Sequence, residues 1–344
     1  MITRRDFLAK GAGGFVAAGV FGALGDPALG ALSRIAGGTA ATFQLGWIAN
    51  VENMGEYVAQ SKGYYTAQGL DIDIVPGGPG VSVEPLVESG KALVGLSSAD
   101  YTARARLSGA KLKVVGTTLQ KNPSAVMSLA KNPIRTPHDL IGKKLGLQQT
   151  SYATYNAFFK ANGIDPKKIT YVPVQYDPAP LVSGQVDAFA SFQTNQPIAL
   201  AQKGIKTVTF LLADYGYNTF ADAFVVSEKT LADKTARATV KKILIATIRG
   251  WQDSLKDPAA AANVVVSGPG KSLGLRLHDQ TLTARAEVPL VQTAATRKHG
   301  LFWMDPAGIA VNMASMKRIG ITIKQSDLFT NELLQEIYHG RNHV

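Results

Sequence analysis

Aromatic, hydroxyl and amide side chains recur just beyond the short apolar runs of this sequence. Trp47, Asn50 and Asn53 follow "TFQLG"; Gly77 and Gly78 sit in "VPGGPG"; Ser97, Ser98 and Asp100 end "ALVGLSSAD". Further on come Thr150, Ser151 and Tyr152 in "LQQTSYATY", Tyr176 in "VQYDPAP", and Ser191, Gln193 and Asn195 in "SFQTNQP". Such groups stack on a flat ligand and hydrogen-bond its polar edges; an aromatic platform contributes on the order of 1–3 kcal/mol. Each also has a plainer use. Asn53, Ser97 and Ser151 are good helix caps, Asp100 suits the first turn of a helix, and Trp47 alone could be core.

The same inventory excludes most catalysis. There is no cysteine, so thiolate metal sites, cysteine nucleophiles and disulfides are ruled out. The five histidines (His138, His278, His299, His339, His343) are far apart and lack metal-ligand spacing, and no nucleophile elbow is present. "VVVSGPGKS" comes close to a phosphate loop, but Val265 stands where the pattern needs its first glycine. These residues call for no cofactor and no metal, and they describe a binding site rather than an active site.

Elements of a particular kind must hold them. From 42 to 120 short β-rich runs alternate with helical ones, which argues for a parallel sheet with crossover helices. Asn53 with Glu56 three residues on reads as a capping-box variant, and Gly63 and Gly90 suit left-handed helix ends. The chain then repeats itself. "QGLDIDIVP…PLVESGKALVGLSS" is echoed by "NGIDPKKITYVPV…PLVSGQVDAFASF", with Gly69 to Ser97 and Gly163 to Ser191 equally spaced. Two similar α/β lobes are implied, and open sheets of this kind bind ligands beyond the carboxyl ends of their strands. Beyond residue 222 the pattern turns helical. Val240, Ile243, Leu244, Thr247, Ile248, Trp251 and Leu255 form a core stripe that Asp257-Pro258 ends, and "AFVVSE" before it reads as a return crossing. The expected organisation is lobe one at 42–122 and 220–335, lobe two at 123–219, and hinge closure between them.

The N-terminus, "MITRRDFLAK" followed by "GAGGFVAAGVFGALG", resembles a twin-arginine export signal over residues 1–30, with a small-residue cleavage site at Ala28–Ala31. Its apolar part, about fifteen residues, is shorter than the roughly 20 that span a bilayer. An exported chain without a lipid-modified cysteine is expected to be soluble outside the cytoplasm, in the periplasm or its equivalent. The net charge of +11 comes from scattered Lys and Arg. Basic and aromatic residues do not interleave along one element, so nucleic acid is not the expected partner.

The stretches "GEYVAQSKGYYTAQGLDIDI", "LVESGKALVGLSSAD", "LIGKKLGLQ" and "PLVSGQVDAF" resemble the solute-binding proteins of ABC importers, in the class with thiamine pyrimidine synthase-like, alkanesulfonate, taurine and nitrate-binding members. The likeness runs over roughly residues 42 to 260. It implies a type II periplasmic-binding-protein fold: two α/β lobes, each a doubly wound sheet, the first discontinuous, closing like a flytrap on a small solute. It further implies a monomer that delivers a thiamine-precursor pyrimidine, a related planar heterocycle or a small anion to an ABC permease and its ATPase. The same class contains pyridoxal phosphate-dependent pyrimidine synthases. In those, a lysine follows the "GL" that ends the third strand and a histidine comes four residues later. Here Ser97 and Tyr101 occupy those places, which argues against the synthase reaction. No arginine stands at a strand end, which argues against a strongly anionic ligand.

Overall fold

A computed structural model describes residues 38–344; the export-signal reading lies outside the described residues. Among the described residues ten strands form two five-stranded sheets. The first contains β1 (Thr39–Gln44), β2 (Leu70–Val75), β3 (Val94–Ser97) and β4 (Leu112–Leu119). The second contains β5 (Ser124–Leu129), β6 (Lys144–Leu147), β7 (Thr170–Pro173), β8 (Ala188–Phe192) and β9 (Thr207–Leu211). The chain then returns as β10 (Ala221–Ser227) to lie between β3 and β4, antiparallel to both.

The spatial orders, β2-β1-β3-β10-β4 and β7-β6-β8-β5-β9, show the repeat in three dimensions. In each sheet three parallel strands are followed by one antiparallel strand. Burial explains the sequence patterns. The edge strand β2 alternates, with Leu70, Ile72 and Ile74 buried, whereas the interior strand β10 buries Ala221 and Ala223 through Ser227 and so reads as a nearly continuous apolar run. Gly69 (φ 72°) and Gly163 (φ 75°) take the same left-handed turn ahead of β2 and β7, which accounts for their matched positions.

Two crossings join the sheets, from β4 to β5 and from β9 to β10, and they are tied together. Asn122 Nδ2 donates to the Thr219 carbonyl (3.0 Å) and Thr219 Oγ1 (3.1 Å), while the Asn122 N–H donates to Asn218 Oδ1 (3.1 Å). Beyond β10, helix Lys234–Lys256 buries the stripe Val240, Ile243, Leu244, Thr247, Ile248 and Trp251. Asp257 ends it by capping the next helix through the Ala260 N–H (3.0 Å). Against it packs helix Met54–Ser61, and the two meet at glycines. A Cβ on Gly250 would lie 2.0 Å from the Gly55 carbonyl oxygen, and one on Gly55 would lie 2.1 Å from the Trp251 ring. Among the described residues no helix is long and apolar enough to cross a membrane.

Candidate functional site

Where the carboxyl ends of β1, β3, β6 and β8 converge, a cavity of about 320 Å³ opens between the two sheets. That is the lower end of the range for small-molecule sites, room for one compact ligand. From the first sheet's side Gly46, Trp47, Gly78, Ser97 and Ser98 line it; from the second, Thr150, Ser151, Ser191 and Asn195. Trp47 is half-buried in the loop after β1. The glycines beside it permit close approach: a Cβ on Gly77 would lie 2.4 Å from the Leu45 carbonyl oxygen.

Several hydroxyls at this cavity already have partners. Ser97 Oγ donates to Glu84 Oε1 at 2.6 Å, Thr150 Oγ1 to the Pro79 carbonyl at 3.1 Å, and Ser151 Oγ pairs with the Tyr101 hydroxyl at 3.0 Å. The last two bonds join the two sides of the cavity directly. Ser191 differs: it is buried and its Oγ has no partner among the described residues.

Other residues singled out in the sequence do not reach the cavity. Asn50 is fully buried and its Oδ1 accepts the Glu52 N–H (3.0 Å), capping the turn Val51–Asn53. Asn53 is buried too and makes no side-chain cap, and Glu56 accepts from Trp251 Nε1 instead, so the expected capping box is not formed. Tyr152 packs on the Tyr171 ring (centroids 5.1 Å apart), and Gln193 is exposed. Tyr176 stands one shell back, where its hydroxyl donates to Asn195 Oδ1 at 2.8 Å.

The structure adds residues that strand-end reasoning missed. Tyr101 and Arg104 line the cavity from helix Ala99–Leu107; they share one face with the N-cap Ser98 because positions three apart are neighbours on a helix. Glu52, Glu84 and Asp222 contribute carboxyl groups. Asp100, by contrast, turns inward to accept from Thr154 Oγ1 (2.9 Å) and the Tyr217 hydroxyl (3.0 Å).

Beneath the cavity Glu52, Glu56, Asp222 and Glu287 interact electrostatically. Burial pushes Glu56 up to about 8 and Asp222 up to about 7. It also holds Glu52 and Glu287 well above the usual carboxylate range, and their acidic neighbours push the same way. Asp222 adopts a left-handed backbone (φ 49°), a conformation that few residues other than glycine hold without support. Its Oδ2 and Glu287 Oε2 have no partner among the described residues. These carboxyls do not converge as a metal-ligand group.

A family model described as NMT1/THI5 like matches residues 50–261, which contain β2 to β10 and the first turn beneath the cavity. The chain belongs to this family. A riboflavin-binding protein, RibY, of Chloroflexus aurantiacus is 26% identical over 311 residues, 85% of each chain. A formylaminopyrimidine-binding protein of Halalkalibacterium halodurans is 25% identical over 65% of this chain and 68% of its own. Among solved structures, the alkanesulfonate-binding protein SsuA of Xanthomonas axonopodis pv. citri superimposes with a TM-score of 0.61 at 18% identity, covering 85% of this chain and 99% of its own. The NMT1/THI5-like chain therefore has the two-lobed periplasmic-binding-protein fold that its repeat and its resemblance implied.

Proposed function

We propose that this chain is an extracytoplasmic solute-binding protein that holds one small planar heterocycle between its two sheets and presents it to the permease of an ABC importer. The observation that carries this reading is Trp47: an aromatic face at a compact cavity, with Gly78 beside it and hydroxyl and amide groups around it. Trp47 stacks on the ring, and Ser98, Ser191 and Asn195 bond its edges. Two curated relatives named for flat nitrogen heterocycles support that ligand class. Closure works by population shift, because a ligand that touches both sheets binds the closed form more tightly than the open one.

The sequence has three tryptophans. Trp251 is fully buried and Trp303 stacks on His299, so Trp47 alone faces the cavity and should carry any ligand-dependent fluorescence change. Titration with flavin and aminopyrimidine compounds should quench the wild type. Trp47→Ala should abolish that signal and weaken binding by ~1–3 kcal/mol, roughly 5- to 150-fold, as measured by calorimetry. Unchanged affinity in the variant would remove the platform.

The synthase reading is disfavoured on a specific ground: among the described residues no lysine and no histidine lines the cavity. An amine to hold pyridoxal phosphate and an imidazole to be consumed are both lacking there. Incubation with pyridoxal phosphate should give no new absorbance band that survives gel filtration; a retained band would reopen the enzyme reading.

A further inference from the structure

Arg104 is the one guanidinium at the cavity, and no hydrogen bond or ion pair engages it among the described residues. Its Nε and Nη2 are buried without a partner. Asp100, four residues earlier on the same helix, feels the Arg104 charge, but its two carboxylate oxygens accept from Thr154 and Tyr217 rather than from the guanidinium. The nearby carboxyls Glu52, Glu84 and Asp222 form no ion pair with it either. Arg104 as a whole is only half-buried, but two of its guanidinium nitrogens are withdrawn from water, and buried donors left unsatisfied are costly unless something completes them. On the opposite sheet, Ser191 lines the same cavity and its Oγ is likewise buried and unpartnered among the described residues. Two orphan donors from the two sides of one cavity ask for one acceptor.

Resting on the cleft reading above, we propose that the ligand carries an oxygen acceptor, a ring carbonyl or a carboxylate, which Arg104 and Ser191 bind together on closure. Arg104 is thereby a specificity residue: it selects oxygen-bearing rings over rings whose edges carry only amines. Its position corrects the inference drawn from the strand ends. The arginine comes from the middle of a helix, one turn beyond Ser98, and supplies the charge that the strand ends lack.

Two matched pairs test this on the full chain by calorimetry: alloxazine, with its carbonyl edge, against 2,4-diaminopteridine, and quinoline-2-carboxylate against quinoline. The wild type should favour the oxygen-bearing member of at least one pair by tenfold or more. Arg104→Gln should erase that preference by weakening the oxygen-bearing member, leave the other member within about threefold, and leave the thermal midpoint of the empty protein unchanged or raised. Ser191→Ala, a smaller change, should lower the same preference in the same direction. A wild type that binds both members equally, or an Arg104→Gln protein that keeps the wild-type ratio, overturns the assignment while leaving the heterocycle reading intact. A wild type that binds none of the four and shows no Trp47 quenching overturns both.

Discussion

Gly250→Ala should destabilise the protein by ~3 kcal/mol or more, the upper part of what overpacking costs. Helix propensity alone predicts the opposite sign, because alanine is favoured over glycine in a helix interior by about 1 kcal/mol. The substitution places a methyl group 2.0 Å from the Gly55 carbonyl oxygen and 2.7 Å from the Ala59 Cβ. Both obstacles belong to helix Met54–Ser61, whose backbone cannot rotate away as a side-chain tip could. That helix continues directly from the turn Val51–Asn53, which carries Glu52 into the cavity. Forcing the helices apart therefore moves the cavity floor as well as the core. Chemical denaturation gives the stability change, and ligand affinity should fall with it. A neutral or stabilising result would show that the helices separate freely and that Trp251, whose ring abuts Gly55, is not locked.

How much of this was legible in the sequence depends on the range of the interaction. The repeat from Gly69 to Ser97 and from Gly163 to Ser191 is a local pattern of turn glycines and strand ends, and it carried over into two sheets of matching order. The stripe from Val240 to Trp251 is likewise periodic and lies on one buried helix face. Asn50 and Asn53 misled because the residue after a strand end faces the ligand or the helix beneath according to one backbone turn. Here a 3-10 turn directs Asn50 inward. Nothing local marks Gly55 and Gly250, since only the crossing of two elements far apart in sequence explains them. Arg104 was missed for a similar reason: it reaches the cavity through helical periodicity from Ser98, not through proximity to a strand.

The buried carboxyls give the remaining large effect, a stability that declines as the pH rises. The sign follows from comparing proton counts. A carboxyl whose folded value is raised keeps its proton in the folded chain over a range in which the unfolded chain has already released it. For Glu56 that range runs from its ordinary value of 4.5 to about 8, and for Asp222 from 3.8 to about 7. Across it each such group lowers the stability by about 1.4 kcal/mol per pH unit, so groups acting together give a steep slope. The protein should be most stable near the acidic end of this window and lose stability steadily towards pH 8, a trend visible in denaturant midpoints at pH 5, 6.5 and 8. Glu287→Gln supplies the decisive comparison. It removes one acid from the cluster, and with it the repulsion that helps raise Glu52, while the amide keeps the shape of the side chain. The variant should match or exceed the wild type at pH 8 and show a shallower slope. A flat wild-type profile, or a variant with an unchanged slope, would mean that these carboxyls are ionised and compensated in the folded chain. In the expected case the consequence reaches the ligand. Asp222 belongs both to the cluster and to the cavity wall, so a solute that donates hydrogen bonds to its ionised form favours proton release, and its affinity should rise towards pH 7, within the window in which the empty protein weakens.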